Sequence, residues 1–104
     1  MAVNAILVED ETRQTLRELV ADPIVLDPLF SLAENDDAFV CLRFVDPYGD
    51  TLFNRAQAGQ LQKELEGLVR RASTPAQRSV LSELIALTVF TAELPHRYLR
   101  FVGD

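Results

Sequence analysis

Residues 38 to 54 read Ala38-Phe39-Val40-Cys41-Leu42-Arg43-Phe44-Val45-Asp46-Pro47-Tyr48-Gly49-Asp50-Thr51-Leu52-Phe53-Asn54, and the fold turns on how this stretch is read. Ala38 to Val45 is apolar on both alternating faces except at Arg43, a pattern that predicts a central β-strand. Asp46-Pro47-Tyr48-Gly49 matches a type I turn: Asp first, the preset φ of Pro second, Gly fourth. Asp50 to Phe53 then reads as a short returning strand. From Asn54 onward the period changes. Leu61, Leu65, Leu68, Val69 and Ala72 fall at i, i+4, i+7, i+8 and i+11, one face of an amphipathic helix.

Working outward toward the N-terminus, Val3 to Glu9 is rich in β-branched and apolar residues and runs into the polar cluster Asp10-Glu11-Thr12-Arg13, which predicts a strand and a turn. Gln14 to Val20 fits either a helical spacing or a pleat, and a β-hairpin is the preferred reading. Pro23 and Pro28 bracket Ile24 to Asp27, where proline geometry disfavours a long element; this segment reads as connecting structure, with at most a short helical turn at Leu29 to Ala33. Toward the C-terminus, Thr74 as cap, Pro75 at the first helical position and Gln77 three residues after Thr74 announce a second helix. Its apolar set runs from Val80 to Phe90, and Pro95 stops it. His96 to Val102 reads as the last strand. Leu42-Arg43-Phe44-Val45-Asp46 is echoed by Leu99-Arg100-Phe101-Val102-Gly103-Asp104, as if two equivalent strands each send Leu and Phe to one face and Arg to the other. The expected fold is an α+β two-layer domain: a mostly antiparallel sheet of about four strands with two consecutive helices on one face.

With 104 residues, the chain fits a single domain spanning 1–104, and 48% hydrophobic residues suffice for a core without disulfide or metal support. Sixteen acidic against ten basic groups give a net charge of −6, which argues against nucleic acid and anionic membranes as partners. Nine of the ten basic residues are arginine, with Lys63 the one lysine. Cys41 is the one cysteine, the first residues lack the features of a secretory signal, and no apolar stretch approaches the roughly 20 residues of a membrane span. A cytoplasmic protein is expected.

The segment Leu42 to Asn54, followed by Gln57 and the C-terminal run Tyr98 to Asp104, resembles a group of small uncharacterised bacterial proteins. That resemblance covers about the last two-thirds of the chain. It implies a bacterial cytoplasmic protein of this size, with no activity and no catalytic residue attached.

Four constellations are candidates for function. Asp46, Asp50 and Asp104 would form a carboxylate cluster for a hard divalent cation if their strand ends converge; the alternative is ordinary turn hydrogen bonding. His96, the sole histidine, is a candidate acid or base, or else a surface residue at a helix-to-strand junction. Cys41 within an apolar segment reads as inert and buried. No dinucleotide, Walker, Cys-x-x-Cys or His-Glu-x-x-His pattern is present, so no cofactor is expected. The fourth candidate is a sheet face: pleating places Phe39 and Arg43 with Tyr98 and Arg100 on the side away from the helices, a mixture suited to a contact surface. The function expected from these residues is a small non-catalytic interaction domain that binds itself or another protein, as an inhibitor or immunity-type protein does. The alternative is a small enzyme or divalent-cation binder using the carboxylate cluster.

Overall fold

The computed structural model describes residues 3–103. Strands β1 (Val3–Asp10), β2 (Thr15–Val20), β3 (Asp50–Asn54) and β4 (Arg97–Gly103) form one antiparallel sheet in the order β2-β1-β4-β3. Helices α1 (Pro23–Glu34), α2 (Arg55–Arg71) and α3 (Pro75–Glu93) make the second layer, joined by a single 3-10 turn at Leu42–Phe44. This is the α+β class that the periodicity predicts.

Register explains which face the helices cover. Two rows across the sheet, Leu19–Ile6–Phe101–Thr51 and Arg17–Val8–Leu99–Phe53, lie on the helix side. Their apolar members are buried in one core with Leu26, Leu61, Leu65, Leu68, Leu81 and Leu84 of the helices. Phe101 is fully buried and meets Phe30 of α1 and Phe53 of β3 edge-on, at centroid separations of 6.0 and 5.6 Å. At the outer edge, the Arg17 and Arg97 guanidinium groups both stack on Phe90 of α3, 4.3 and 3.8 Å from the ring centre. A register slip between Val3 and Ala5 turns Val3 to the buried side, against the alternation of Ala5 and Leu7.

The β1–β2 hairpin forms as expected. Asp10 staples its turn, with one carboxylate oxygen accepting from the Thr12 hydroxyl (2.6 Å), the Thr12 amide (2.8 Å) and the Gln14 amide (3.0 Å). The Thr12 hydroxyl is the main reason the Asp10 carboxyl sits below its ordinary pKa, so this contribution is complete above the usual carboxylate range and is lost as pH falls through the lowered value. Helix α2 starts on a reciprocal cap, Asn54 Oδ1 accepting from the Gln57 amide (2.9 Å) and Gln57 Oε1 from the Asn54 amide (2.8 Å). At α3, Thr74 caps the Gln77 amide at 3.1 Å as predicted, but the Gln77 side chain reaches back to Ser73 rather than to Thr74. Gly103 lies where β4 meets the 46–49 turn: its amide donates to the Gly49 carbonyl at 2.8 Å, and a Cβ there would come within 2.7 Å of the Asp46 and Pro47 carbonyls and closer still to that of Gly49. No side chain fits.

Two expectations are corrected. Residues 23–34 form a full helix rather than connecting structure. Asp22 accepts from the Ile24 amide at 2.9 Å and Pro23 takes the first position, a proper start. Pro28 forfeits only the bond to the carbonyl of Ile24, in an exposed first turn, while Leu26, Leu29 and Ala33 are buried on one face. Proline inside a helix costs about 3 kcal/mol, and burial of two leucines at about 1.5–3 kcal/mol each offsets that.

The second correction is larger: residues 38–45 are not a strand. The cause lies on α2, in Glu64, whose side chain is buried beneath this segment. The Cys41 amide donates to both Glu64 oxygens at 3.0 Å, the Leu42 amide to Oε1 at 2.9 Å, and Gln60 Nε2 to Oε2 at 2.9 Å. Asp36 Oδ1 takes the Ala38 amide at 2.9 Å, and the Asp36 carbonyl takes that of Phe39 at 3.0 Å. With these donors engaged, the segment has no ladder to offer. Its apolar residues instead drop Phe39, Cys41 and Leu42 into the core. The Asp46–Gly49 turn and returning strand β3 do form, but β3 pairs with β4.

Glu64→Ala leaves two buried amides without an acceptor and is expected to lower stability by about 2–4 kcal/mol, with Glu64→Gln losing less because it keeps one acceptor oxygen. Urea denaturation of the two variants checks this; a loss under about 1 kcal/mol for the alanine variant refutes the anchoring role.

Candidate functional site

Because all three helices pack on the rows carrying Ile6 and Val8, the opposite face of the sheet is bare. Three rows cross it: Val20–Ala5–Val102–Asp50, Glu18–Leu7–Arg100–Leu52 and Thr15–Glu9–Tyr98–Asn54. Val20 is 74% exposed and Leu52 45%, while Ala5, Leu7, Tyr98 and Val102 are half-buried by their neighbours on the sheet. The face thus mixes apolar side chains, Val20, Ala5, Leu7, Val102, Leu52 and Tyr98, with an ionic centre.

That centre is Arg100. Its guanidinium meets Glu9 Oε2 at 3.3 Å and Asp50 Oδ2 at 3.1 Å, bridging β1, β4 and β3. Glu9 is 4% exposed, although no helix lies over it; its neighbours on the sheet bury it. Arg100 Nε is also buried and has no hydrogen-bond partner among the described residues. Beyond Glu9 the face runs into a groove of about 200 Å³ lined by Glu9, Asp10, Glu11, Arg13, Leu52 and Tyr98.

The predicted contact quartet divides in two. Tyr98 and Arg100 are on the bare face, as alternation along the last strand requires. Phe39 and Arg43 are elsewhere, because residues 38–45 are not in the sheet. Phe39 is buried, its ring 3.8 Å from where a Cβ on Gly67 of α2 would stand. Arg43 sits on the 3-10 turn, 3.4 Å from Asp37, with its guanidinium over the Phe44 ring at 5.9 Å. The echo between the two Leu-Arg-Phe segments fails for the same reason: Phe101 is fully buried, Phe44 is 70% exposed. Residues that sequence reasoning missed are Glu9, Leu7, Val20 and Leu52. A signal was present in β1, whose two alternating sets, Ala5/Leu7 and Ile6/Val8, are both apolar and so mark it as the interior strand.

Of the carboxylate cluster, Asp46 Oδ1 accepts from the Tyr48 amide at 2.8 Å, Asp50 pairs with Arg100, and Asp104 lies outside the described residues. Among the described residues, no group of three or more His, Cys, Asp or Glu is placed to hold a metal ion. His96 has a left-handed backbone (φ 64°) at the α3–β4 junction, and its Nδ1 lies 3.1 Å from Glu11 Oε2 on the hairpin turn, with both side chains exposed. Cys41 is buried, and burial followed by the nearby Glu64 carboxylate raises its thiol pKa, which suppresses the nucleophilic thiolate. A separate cleft of about 190 Å³ between α1 and residues 42–47 has an apolar floor including Phe30 and Leu42, with Asp27 and Glu34 on its rim.

Breaking a buried ion pair from one side costs more than losing an exposed one. Arg100→Met, which strands Glu9, is therefore expected to cost about 3 kcal/mol, and Asp50→Asn under about 1 kcal/mol. The double variant Glu9→Gln/Arg100→Met is expected to recover part of that loss. A double-mutant cycle in urea measures the coupling; equal costs for Arg100→Met and Asp50→Asn are the contrary result.

Comparison with protein-family models, with curated proteins and with solved structures finds no match to this chain.

Proposed function

We propose that this chain is a small non-catalytic protein-interaction domain, and that the bare sheet face is the surface by which it binds a second copy or another protein. The observation that supports this reading is the arrangement of that face. Glu9 and Asp50 are engaged through Arg100, and around this fixed charged centre the face offers a partner apolar area from Tyr98, Leu52, Leu7, Val20 and Val102. Apolar side chains beside arginine and tyrosine are a composition enriched in contact surfaces. The competing reading as a cation-dependent enzyme draws less support, since Asp46 and Asp50 already serve a turn amide and a guanidinium. A bacterial cytoplasmic inhibitor or immunity-type protein is the role we assign. No helix of the described residues is long and apolar enough to cross a membrane.

Val20→Asp/Leu52→Asp places two charges at exposed positions of the face without disturbing the core. The expected outcome is that light scattering over a concentration series gives either a dimer that this variant dissociates, or a monomer whose face binds the neutral apolar dye Nile red, with binding lost in the variant. A monomer whose dye binding is absent, or survives the substitutions, refutes the reading.

A further inference from the structure

Resting on the interaction reading above, we propose that the occupant of the bare sheet face is a basic partner protein, one that lays an apolar stripe flanked by lysine or arginine across the sheet, and not a second copy of this chain.

Charge placement carries the inference. The face holds Glu18 on the β2 edge, Glu9 at the centre and Asp50 near the β3 edge against the single cation Arg100. The adjoining groove adds Asp10 and Glu11 against Arg13. Five other arginines are directed elsewhere. Arg17 and Arg97 stack on Phe90 of the helix layer, Arg43 faces Asp37, Arg55 donates to the Ala92 carbonyl, and Arg71 pairs with Asp36. The face therefore carries three carboxylates to one guanidinium, a higher acid share than the 16 to 10 of the whole chain, next to apolar side chains.

A second copy fits this face poorly. Stacking two of these faces opposes three carboxylates to three, with only the two Arg100 side chains between them, and like charges opposed across an interface are costly. Area points the same way. Four strands about 4.8 Å apart and about six residues long give a face of roughly 400 Å², about half of what each partner in a stable interface buries. A basic element can add charge attraction to that limited area. Tyr98 and Leu52 give the aliphatic stem of a lysine or arginine an apolar wall, and Glu11 stands at the far side of the groove for its cation.

The test uses two synthetic amphipathic helical peptides with the same leucine stripe, one with a lysine polar face and one with glutamate. Binding to the full chain is followed by fluorescence anisotropy and mapped by amide NMR shifts. The lysine peptide is expected to bind at least tenfold more tightly than the glutamate peptide, and to shift Leu7, Leu52, Tyr98 and Val102. Glu11→Lys/Glu18→Lys, at exposed positions in the groove and on the face, is expected to weaken it tenfold or more. Glu66→Lys/Glu83→Lys makes the same change of net charge on the helices and is expected to leave binding within twofold. Equal weakening by both double variants, or equal binding of both peptides, overturns the inference. A dimer dissociated by Val20→Asp/Leu52→Asp overturns it while leaving the interaction reading standing. A monomer in which neither peptide shifts the face, and Nile red does not bind, overturns both.

Discussion

The Glu64 carboxylate, buried under residues 38–45 and bound to the amides of Cys41 and Leu42, is the constraint on which the rest of the structure depends. Backbone amides in an apolar setting must find acceptors, and a segment as apolar as this one ordinarily finds them in a sheet. One side chain from α2 supplies the acceptors instead, so the segment leaves the sheet and its Phe39, Cys41 and Leu42 become core for the helix layer. The place beside β1 goes to β4, and β3 attaches outside it. The order β2-β1-β4-β3 puts the two ends of the described chain, β1 and β4, at the centre of the sheet. The same interaction makes the one thiol inert, since the burial it enforces and its own charge both disfavour the Cys41 thiolate.

With 38–45 withdrawn, the bare face is built from β1 and β4 in the middle and two short strands outside. Placing Glu9 diagonally across from Arg100 on adjacent strands solves a local problem: a buried charge on an interior strand needs a counter-charge within reach. It also defends the face, because a purely apolar four-stranded surface is prone to indiscriminate association. The slips near Val3 and near Glu9 work in the same direction at the ends of β1, twisting the sheet where it meets the α1 cleft and the hairpin turn. The face thus combines apolar area with a fixed ionic centre.

Local signals made much of this legible. The hairpin followed from an apolar run meeting a polar cluster, and α2 and α3 from the change of period at Asn54 and the Thr74-Pro75 start. The Asp46–Gly49 turn and β4 were read on residue chemistry alone, and β4 delivered Tyr98 and Arg100 to the correct face. What was hidden is non-local. Alternation over 38–45 is a sound sign of burial, but burial beneath a helix layer and burial within a sheet give the same pattern, and the difference rests on Glu64, more than 20 residues away. Residues 23–34 were misread because Pro28 was weighed as a breaker without seeing that its lost acceptor lies in an exposed turn.

The partition of arginines follows from the same geometry. Arg17 and Arg100 sit on β2 and β4, the two strands that flank β1, yet Arg17 falls in the row that faces the helices and Arg100 in the row that faces away. On the helix side both Arg17 and Arg97 find the Phe90 ring, and Arg97 also donates to the Phe90 carbonyl in the last turn of α3. On the bare side the arginine is held by carboxylates, Glu9 and Asp50. Fixing one there requires acids around it, and the strands supply Glu9 and Asp50, with Glu18 further along the same row. The acidity of the face is therefore tied to the way Arg100 is held, and any partner that docks there meets more carboxylate than guanidinium.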